Sequence, residues 1–267
     1  MNFIDLHGHY AWNIDDGIAS KEEAIKALKK AKQQGITEIA ATPHIECGKI
    51  DEEQFQSILE RIEELQRLGY EYGINVKSGC ELKINEDVEN TMKTKMFIPI
   101  EGTKYILCEY DLRKRTEDFI EYFDDYLYEL KIQGYQPIVA HIERYFYEEL
   151  DIDYIKYLID LGCIIQVNTT SILGLGHMKH HEYAIKLLNE QLVHIIASDT
   201  HRSEGIRSPN MRDCYEYLYK QGYQEKYIQL LMCENPRRII NNHKIITPQF
   251  QKNRISQRLI SLKRKIL

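Results

Sequence analysis

The sequence predicts an α/β fold in which a parallel sheet closes into a barrel. Apolar strand patterns alternate with amphipathic helical patterns along 267 residues, giving about seven strands, most of them followed by a helix. At this length a barrel is the natural closure. Chemistry in such barrels lies where the strands end, and the conspicuous histidines and carboxylates fall at those positions. We therefore expect one domain, residues 1–250, and a short tail, residues 251–267.

The individual elements follow from apolar spacing and from residues that begin or end helices. Ser20 is a helix N-cap, Gly35 stops the first helix, and Asn235-Pro236 is expected to break the last one. The predicted strands are residues 3–6, 36–41, 74–78, 105–108, 136–140, 163–167 and 193–197. The predicted helices are residues 22–34, 51–68, 116–132, 154–161, 182–188, 210–220 and 225–232.

The first strand carries two histidines that can share a metal ion. His7 and His9 are two residues apart, so an extended backbone points both imidazoles to one face, with Asp5 on the same side. Gly8 between them leaves the backbone uncrowded. Imidazole is the commonest metal ligand, but an isolated His-x-His pair is as often a surface-loop pair. His7 and His9 therefore indicate a metal site only if other strand ends also carry ligands.

Further ligands do follow at the other strand ends. Five histidines and three carboxylates exceed the needs of one zinc site and suit two or three metal ions bridged by carboxylates. Such a pocket is electropositive and suits a phosphate dianion, to which Arg144 and Arg207 could add forked donors. The eight predicted ligands are His7, His9, His44, Glu81, Glu109, His141, Asp199 and His201.

Composition and charge exclude several classes of protein. The net charge of −6 argues against broad nucleic-acid binding. We expect no signal peptide, and no apolar run approaches the roughly 18 residues of a membrane span. The six cysteines lie singly, without a Cys-x-x-Cys pair or the Cys-x5-Arg loop of cysteine phosphatases. They are expected to be buried thiols in a reducing cytoplasm.

The predicted tail differs in charge from the rest of the chain. Residues 251–267 contain six basic and no acidic side chains, so the preceding residues carry a net charge of −12. Ile255, Leu259, Leu262 and Ile266 recur there at helical spacing. This pattern suits weak docking on an acidic membrane surface or a partner, or equally a helix packed on its own barrel.

Seven short motifs carry a resemblance to a known family, and the resemblance runs from about Asn2 to Pro236. They are Asp5-Leu6-His7-Gly8-His9, Asp15-Asp16-Gly17, Ala41-Thr42-Pro43-His44, Gly79-Cys80-Glu81, Leu107-Cys108-Glu109-Tyr110, Ala140-His141-Ile142-Glu143-Arg144 and Ser198-Asp199-Thr200-His201. Together they resemble the PHP (polymerase and histidinol phosphatase) superfamily, and within it the bacterial manganese-dependent tyrosine-protein phosphatases of the CpsB/YwqE group. Glu109 and Asp15-Asp16-Gly17 favour that branch over the histidinol phosphatases. Gly8 departs from the serine usual in the family.

The resemblance implies a distorted (β/α)7 TIM-like barrel, the PHP fold, that holds three divalent metal ions. Manganese is the expected metal, with iron, zinc or magnesium as alternatives. One ion would take His7, His9, Glu81 and Asp199, a second Glu81, Glu109 and His141, and a third His44 and His201.

The resemblance also implies an activity and a partner. The substrate would be the phosphotyrosine tail of a membrane-associated bacterial tyrosine kinase that controls capsular or exopolysaccharide synthesis. The expected chemistry is in-line attack of a metal-activated water on phosphorus, with Arg144 and Arg207 holding the non-bridging oxygens. Asp16 is the candidate proton donor to the leaving oxygen, and the alternative is that it orders its loop or binds the third metal ion.

Two other functions are compatible with part of the pattern. The first is a histidinol-phosphate or other small-molecule phosphomonoesterase of the same superfamily. The second is an inactive regulatory binding module, which the eight filled ligand positions disfavour.

Several aromatic residues and histidines have competing interpretations. Tyr10 and Trp12 either stack on a phosphotyrosine ring or cap the barrel mouth. His177, His180 and His181 are interpreted as a solvated loop and helix start rather than a further metal cluster, and His194 as a hydrogen-bonded core histidine.

Overall fold

The structure is a computed structural model that describes residues 1–110 and 122–249. Within these ranges nine strands form, and every paired strand runs parallel to its neighbours. The predicted tail lies outside the described residues. The strands are β1 (Phe3–Asp5), β2 (Ile36–Ala41), β3 (His44–Glu46), β4 (Asn75–Ser78), β5 (Glu81–Ile84), β6 (Tyr105–Tyr110), β7 (Gln136–Val139), β8 (Ile164–Asn168) and β9 (Ile195–Ala197).

Helices separate most of the strands, as the alternating pattern predicts. The Ser20 side chain accepts a hydrogen bond from the Glu23 amide at the start of α1, and Asp51 and Gln54 form a capping box on α2. The helices are α1 (Lys21–Gln33), α2 (Glu52–Glu71), α3 (Val88–Thr94), α4 (Phe123–Ile132), α5 (Ile152–Asp160), α6 (Thr169–Ile172), α7 (Met178–Asn189), α8 (Met211–Lys220), α9 (Glu225–Gln229) and α10 (Asn235–Ile240).

Two helical predictions need comment. The predicted helix 116–132 is described only from Phe123 onward, because its first residues lie outside the described ranges. The break predicted at Asn235-Pro236 is wrong, since a π-helical turn, Leu230–Glu234, leads directly into α10. Pro236 lies in the first turn of α10, where its missing N–H is least disruptive.

Two strands continue past the point where the sequence predicts their ends. The strands form two sheets, ordered β1-β2-β4 and β3-β5-β6-β7-β8-β9. Thr42-Pro43 separates β2 from β3, and Gly79-Cys80 separates β4 from β5, so each pair forms one kinked strand that changes sheet. Counting each kinked pair once gives seven strands around the barrel, in agreement with the predicted distorted (β/α)7 fold.

The first and last strands meet to close the barrel. Gly8 and Thr200 form a parallel bridge, in which the His9 amide donates to the Thr200 carbonyl at 2.7 Å. The Asp199 amide donates to the His7 carbonyl at 2.9 Å. A Cβ at position 8 would lie 2.5 Å from Cε2 of Tyr10, so the buried Tyr10 ring explains why glycine stands here.

Side chains alternate between the barrel interior and the layer beneath the helices. On β6, Tyr105 and Leu107 belong to a small cluster enclosed by the strands, whereas Ile106 and Cys108 pack in the larger outer core. Glu109 continues the inward set at the carboxyl end of the strand. The barrel therefore presents inward-facing polar residues at this edge. None of the described helices is long and apolar enough to cross a membrane.

Candidate metal centre

The eight predicted ligands come together at the carboxyl edge of the barrel. Seven of them are buried, and His44 is partly exposed. Among the described residues their donor atoms form four overlapping groups, and the donors within each group lie within 4.8 Å of one another. The groups are His9, Asp16, His44 and His201; His7, His141 and Asp199; His7, His9 and Glu81; and His44, Glu81 and Glu109.

Glu81 lies at the centre of these groups. Its Oε2 is 3.1 Å from His7 Nε2 and 3.2 Å from His9 Nε2. The same oxygen is 3.2 Å from His44 Nδ1, while Oε1 is 2.9 Å from His141 Nε2. A carboxylate that faces four imidazoles is placed to bridge metal ions rather than to serve one alone.

Asp16 joins the exposed side of the centre. Its Oδ1 lies 3.3 Å from His44 Nε2 and 3.5 Å from His201 Nε2, and its side chain is 65% exposed. Hydrogen bonds to His201 and then His44 hold the pKa of Asp16 well below its usual range. An ionised carboxylate at this position suits a metal ligand better than a proton donor.

The donor set suits divalent cations. Nδ1 of His44, Oε2 of Glu81, Oε2 of Glu109 and Nε2 of His201 are buried and have no hydrogen-bond partner within the described part of the chain. Burial of unsatisfied polar atoms is costly, and all four belong to residues of the overlapping donor groups. Imidazole and carboxylate donors in this number suit manganese, iron or zinc. The residues present therefore fit a metal centre.

The electrostatics of Glu81 and Glu109 also favour bound cations at this site. Burial, and then the charge of Glu81, raise the pKa of Glu109. Glu81 begins β5 and Glu109 lies near the end of the neighbouring strand β6, and bound cations would relieve the repulsion between the two carboxylates.

A second layer of side chains orients the innermost ligands. Gln166 on β8 places Oε1 3.1 Å from His7 Nδ1 and accepts from the His141 amide at 2.8 Å. Its amide donates to Asn168 Oδ1, and Asn168 donates to Asp199 Oδ2, each at 2.8 Å. Sequence reasoning missed both residues, although polar side chains spaced two apart in an apolar strand were a usable signal.

Asp15 supports the ligands on the other side of the centre. Its Oδ2 lies 2.6 Å from His9 Nδ1 and accepts from the His44 amide at 2.9 Å. One carboxylate thus fixes the ring of His9 and the backbone of His44, which is the usual arrangement behind a metal-bound imidazole.

Two ligands have left-handed backbone conformations. His141 has φ of 33° and Asp199 has φ of 53°, and each lies two residues past the end of its strand. Non-glycine residues adopt this region at a cost in free energy, so strain concentrates where β7 and β9 deliver their ligands.

Both predicted arginines lie beside Asp199. Arg144 Nη1 is 3.3 Å from Asp199 Oδ2, and Arg207 Nη2 is 3.0 Å from the same atom. Arg202, which the sequence analysis did not single out, donates to the Asp16 carbonyl at 2.8 Å and also to the Gly17 carbonyl, so it anchors the loop that carries Asp16.

The other singled-out residues lie away from this chemistry. The interpretation that Tyr10 and Trp12 stack on a substrate ring is wrong, because these residues are 0% and 5% exposed and pack in the core. His194 is buried and accepts from the Ile165 amide at 3.0 Å, as predicted for a core histidine. His177 caps α7, and His181 lies 3.0 Å from the Ser171 carbonyl, which confirms the predicted helix start.

The fold and the site define a class: a closed parallel barrel whose carboxyl edge carries a candidate metal centre. Residues 3–241 match the family described as "Capsular polysaccharide synthesis, CpsB/CapC", so the chain belongs to that family. It is 29% identical to tyrosine-protein phosphatase CpsB of Streptococcus agalactiae, covering 91% of this chain and 100% of that protein. It is 30% identical to the putative tyrosine-protein phosphatase CapC of Staphylococcus aureus, covering 91% and 92%.

A solved structure supports the same assignment. The chain is similar to one in a study titled "Crystal structures of YwqE from Bacillus subtilis and CpsB from Streptococcus pneumoniae, unique metal-dependent tyrosine phosphatases". The TM-score is 0.74 at 26% identity, covering 94% of this chain and 100% of the other.

Proposed function

We propose that this protein is a metal-dependent protein-tyrosine phosphatase that acts in capsular polysaccharide synthesis. The observation that carries the proposal is the convergence of four imidazoles on Glu81, with two arginines beside Asp199. The family membership and the names of the curated relatives agree with it.

The metal ligands are proposed to be the eight predicted residues together with Asp16. Bound divalent ions would supply Lewis acidity and lower the pKa of a coordinated water. We propose three ions, with manganese as the native metal. The overlap of the groups at Glu81 and at His9 is what supports more than one ion.

Arg144 and Arg207 are proposed to hold the phosphoryl group. Both guanidinium groups approach Asp199, and each has further donors besides those that face this carboxylate. Planar forks suit two non-bridging phosphate oxygens and stabilise the charge that shifts onto them during transfer.

An open depression beside the centre suits a protein substrate. It has a volume of about 510 Å³ and is bordered by the ligand His44, the Asn13-Ile14 loop, and Ile50 and Ile58 around α2. A phosphotyrosine segment could lie across it, whereas a small phosphomonoester would leave most of it empty. The phenolate of tyrosine, with pKa about 10, also leaves more easily than an alkoxide.

The proposed partner is the phosphotyrosine tail of a membrane-associated bacterial tyrosine kinase. We place the reaction in the cytoplasm, because all six cysteines are unpaired thiols, as is usual in a reducing compartment. This setting is compatible with a kinase that presents its tail on the inner face of the membrane.

The test is an assay on protein purified without chelator. Phosphotyrosine peptides should be hydrolysed well and phosphoserine peptides poorly, and activity should vanish on chelation and return with manganese. Metal analysis of the same preparation should give more than one ion per chain. A strong preference for histidinol phosphate would assign the chain to small-molecule hydrolysis, and a metal-free, inactive protein that still binds phosphotyrosine would make it a binding module.

A further inference from the structure

Lys83 is a cation at the metal centre that the site described above does not use. It follows Glu81 by two residues on β5, so both side chains face the same side of the strand. The strand register pairs it with Glu46 on β3 and with Glu109 on β6. Glu46 has its own counter-ion, since Lys49 Nζ lies 2.6 Å from Glu46 Oε1.

The ammonium group of Lys83 is poorly satisfied. Its Nζ is 3.7 Å from Glu109 Oε2, beyond hydrogen-bond distance, and its side chain is only 15% exposed. Within residues 1–110 and 122–249 this ammonium donates no hydrogen bond, and Glu109 is its ion-pair partner. A lysine has three donors to satisfy, so a nearly buried ammonium without an acceptor favours an additional anionic partner.

Glu109 cannot fill that need once it serves as a ligand. Its Oε2 lies in one metal-ligand group with His44 and Glu81, and coordination would draw its charge toward the ion. The ammonium would then stand beside the metal centre with its donors unengaged. A phosphate dianion bound at that centre brings oxygens and negative charge to this place.

The position complements the two arginines. Arg144 and Arg207 follow β7 and β9 and both approach Asp199, whereas Lys83 on β5 approaches Glu109. We propose that Lys83 is a third cationic contact to the phosphoryl group, on the Glu109 side of the centre. This inference rests on the proposed phosphatase function and adds a substrate-contacting residue to it.

The test compares Lys83→Met and Lys83→Arg with Lys77→Met. Lys77 is a suitable control, because it lies on β4, is 26% exposed and pairs with Glu101 at 3.2 Å away from the proposed ligands. On manganese-loaded protein, inorganic phosphate binding is measured by calorimetry and by competitive inhibition of p-nitrophenyl phosphate hydrolysis. Metal content is measured on the same samples.

We expect Lys83→Met to weaken phosphate binding about tenfold and to lower kcat/KM by a similar factor, as for loss of a charged hydrogen bond. Metal content should not change, Lys83→Arg should restore most of the binding, and Lys77→Met should behave as the unaltered protein. Unchanged phosphate affinity in Lys83→Met would overturn the proposal. So would tighter metal binding without a phosphate effect, which would make Lys83 only a counter-charge to Glu109.

Failure of the underlying function would look different. If phosphate binding depends on Lys83 while no variant, nor the unaltered protein, hydrolyses phosphotyrosine peptides, then Lys83 binds an anion and the phosphatase assignment is wrong. If Lys83→Met does not fold by circular dichroism, the same comparison is made with Lys83→Gln, which keeps a polar side chain without the charge.

Discussion

The inner and outer halves of the metal centre are built in different ways. On the inner side, His7, Glu81 and His141 are at most 1% exposed, and each lies in a strand or within two residues of its end. On the outer side, the side chain of His44 is 16% exposed and that of Asp16 is 65% exposed. Asp16 belongs to a loop rather than a strand.

The inner side of the site is therefore rigid, and the outer side is accessible. The inner ligands are fixed by the barrel and by Gln166, so their geometry is set before any ion arrives. The outer ligands depend on Asp15 and Arg202, which hold a loop in place. A large substrate can reach only this outer side.

The largest effect should come from the central carboxylate. Glu81→Ala should lower kcat by roughly 10³-fold or more and remove more than one ion, because Glu81 reaches both halves. Glu109→Ala, at the edge, should lower kcat by only about 10²-fold. Metal analysis and kinetics on both variants check this. Equal losses of metal from the two variants would contradict a bridging role for Glu81.

The next effect should come from the outer half. Asp16→Asn should slow hydrolysis of phosphotyrosine and of p-nitrophenyl phosphate equally, by about 10²-fold, with loss of one ion, if the carboxylate is a ligand. The matched control is Asp153→Asn, a 96% exposed carboxylate on α5. If metal content stays unchanged and phosphotyrosine hydrolysis suffers much more than p-nitrophenyl phosphate hydrolysis, Asp16 is instead the proton donor.

A smaller effect should appear in the layer behind the inner half. Gln166→Leu should weaken metal binding about tenfold, because it removes the hydrogen bonds of Gln166 to the His7 ring and to Asn168. Arg202→Met should leave the inner ions bound and affect only the ion held by the outer group. Metal titrations of both variants compare the halves directly, and identical titration curves would remove the distinction.

The smallest effect should come from the predicted tail. Removing residues 253–267 should change hydrolysis of small aryl phosphates by less than about twofold, since no candidate ligand lies there. Loss of the folded state on truncation, seen by thermal melting, would mean that the tail packs on the barrel and would remove the motive for a docking role.

The sequence located the inner half well because strand ends are a local signal. Apolar runs that stop at His7, Glu109 and Asp199 indicate where the barrel edge lies. His44 and Glu81 were assigned to the edge correctly, but as strand ends, whereas each begins a further short strand. Pairing of β3 with β5 joins residues far apart in sequence, which no local pattern reveals.

The outer half was harder to predict for a physical reason. Whether Asp16 reaches His44 and His201 depends on how its loop folds over the barrel. Arg202, which is 186 residues from Asp16 in the sequence, holds that loop by donating to the Asp16 carbonyl. The burial of Tyr10 and Trp12 likewise depends on space that only the folded barrel defines. Lys83 could have been predicted from the sequence, because it follows Glu81 by two residues and so faces the same side of an extended strand.

The bridge between Gly8 and Thr200 has a consequence for biosynthesis. It joins positions far apart in the sequence, so the barrel cannot close on the ribosome until the segment with Asp199 and His201 has emerged. Contacts between residues so far apart in the sequence form slowly. Until they form, His7 and His9 lack the neighbouring ligands Asp199 and His201. Metal loading of the complete centre should therefore follow synthesis of the segment that carries Asp199 and His201.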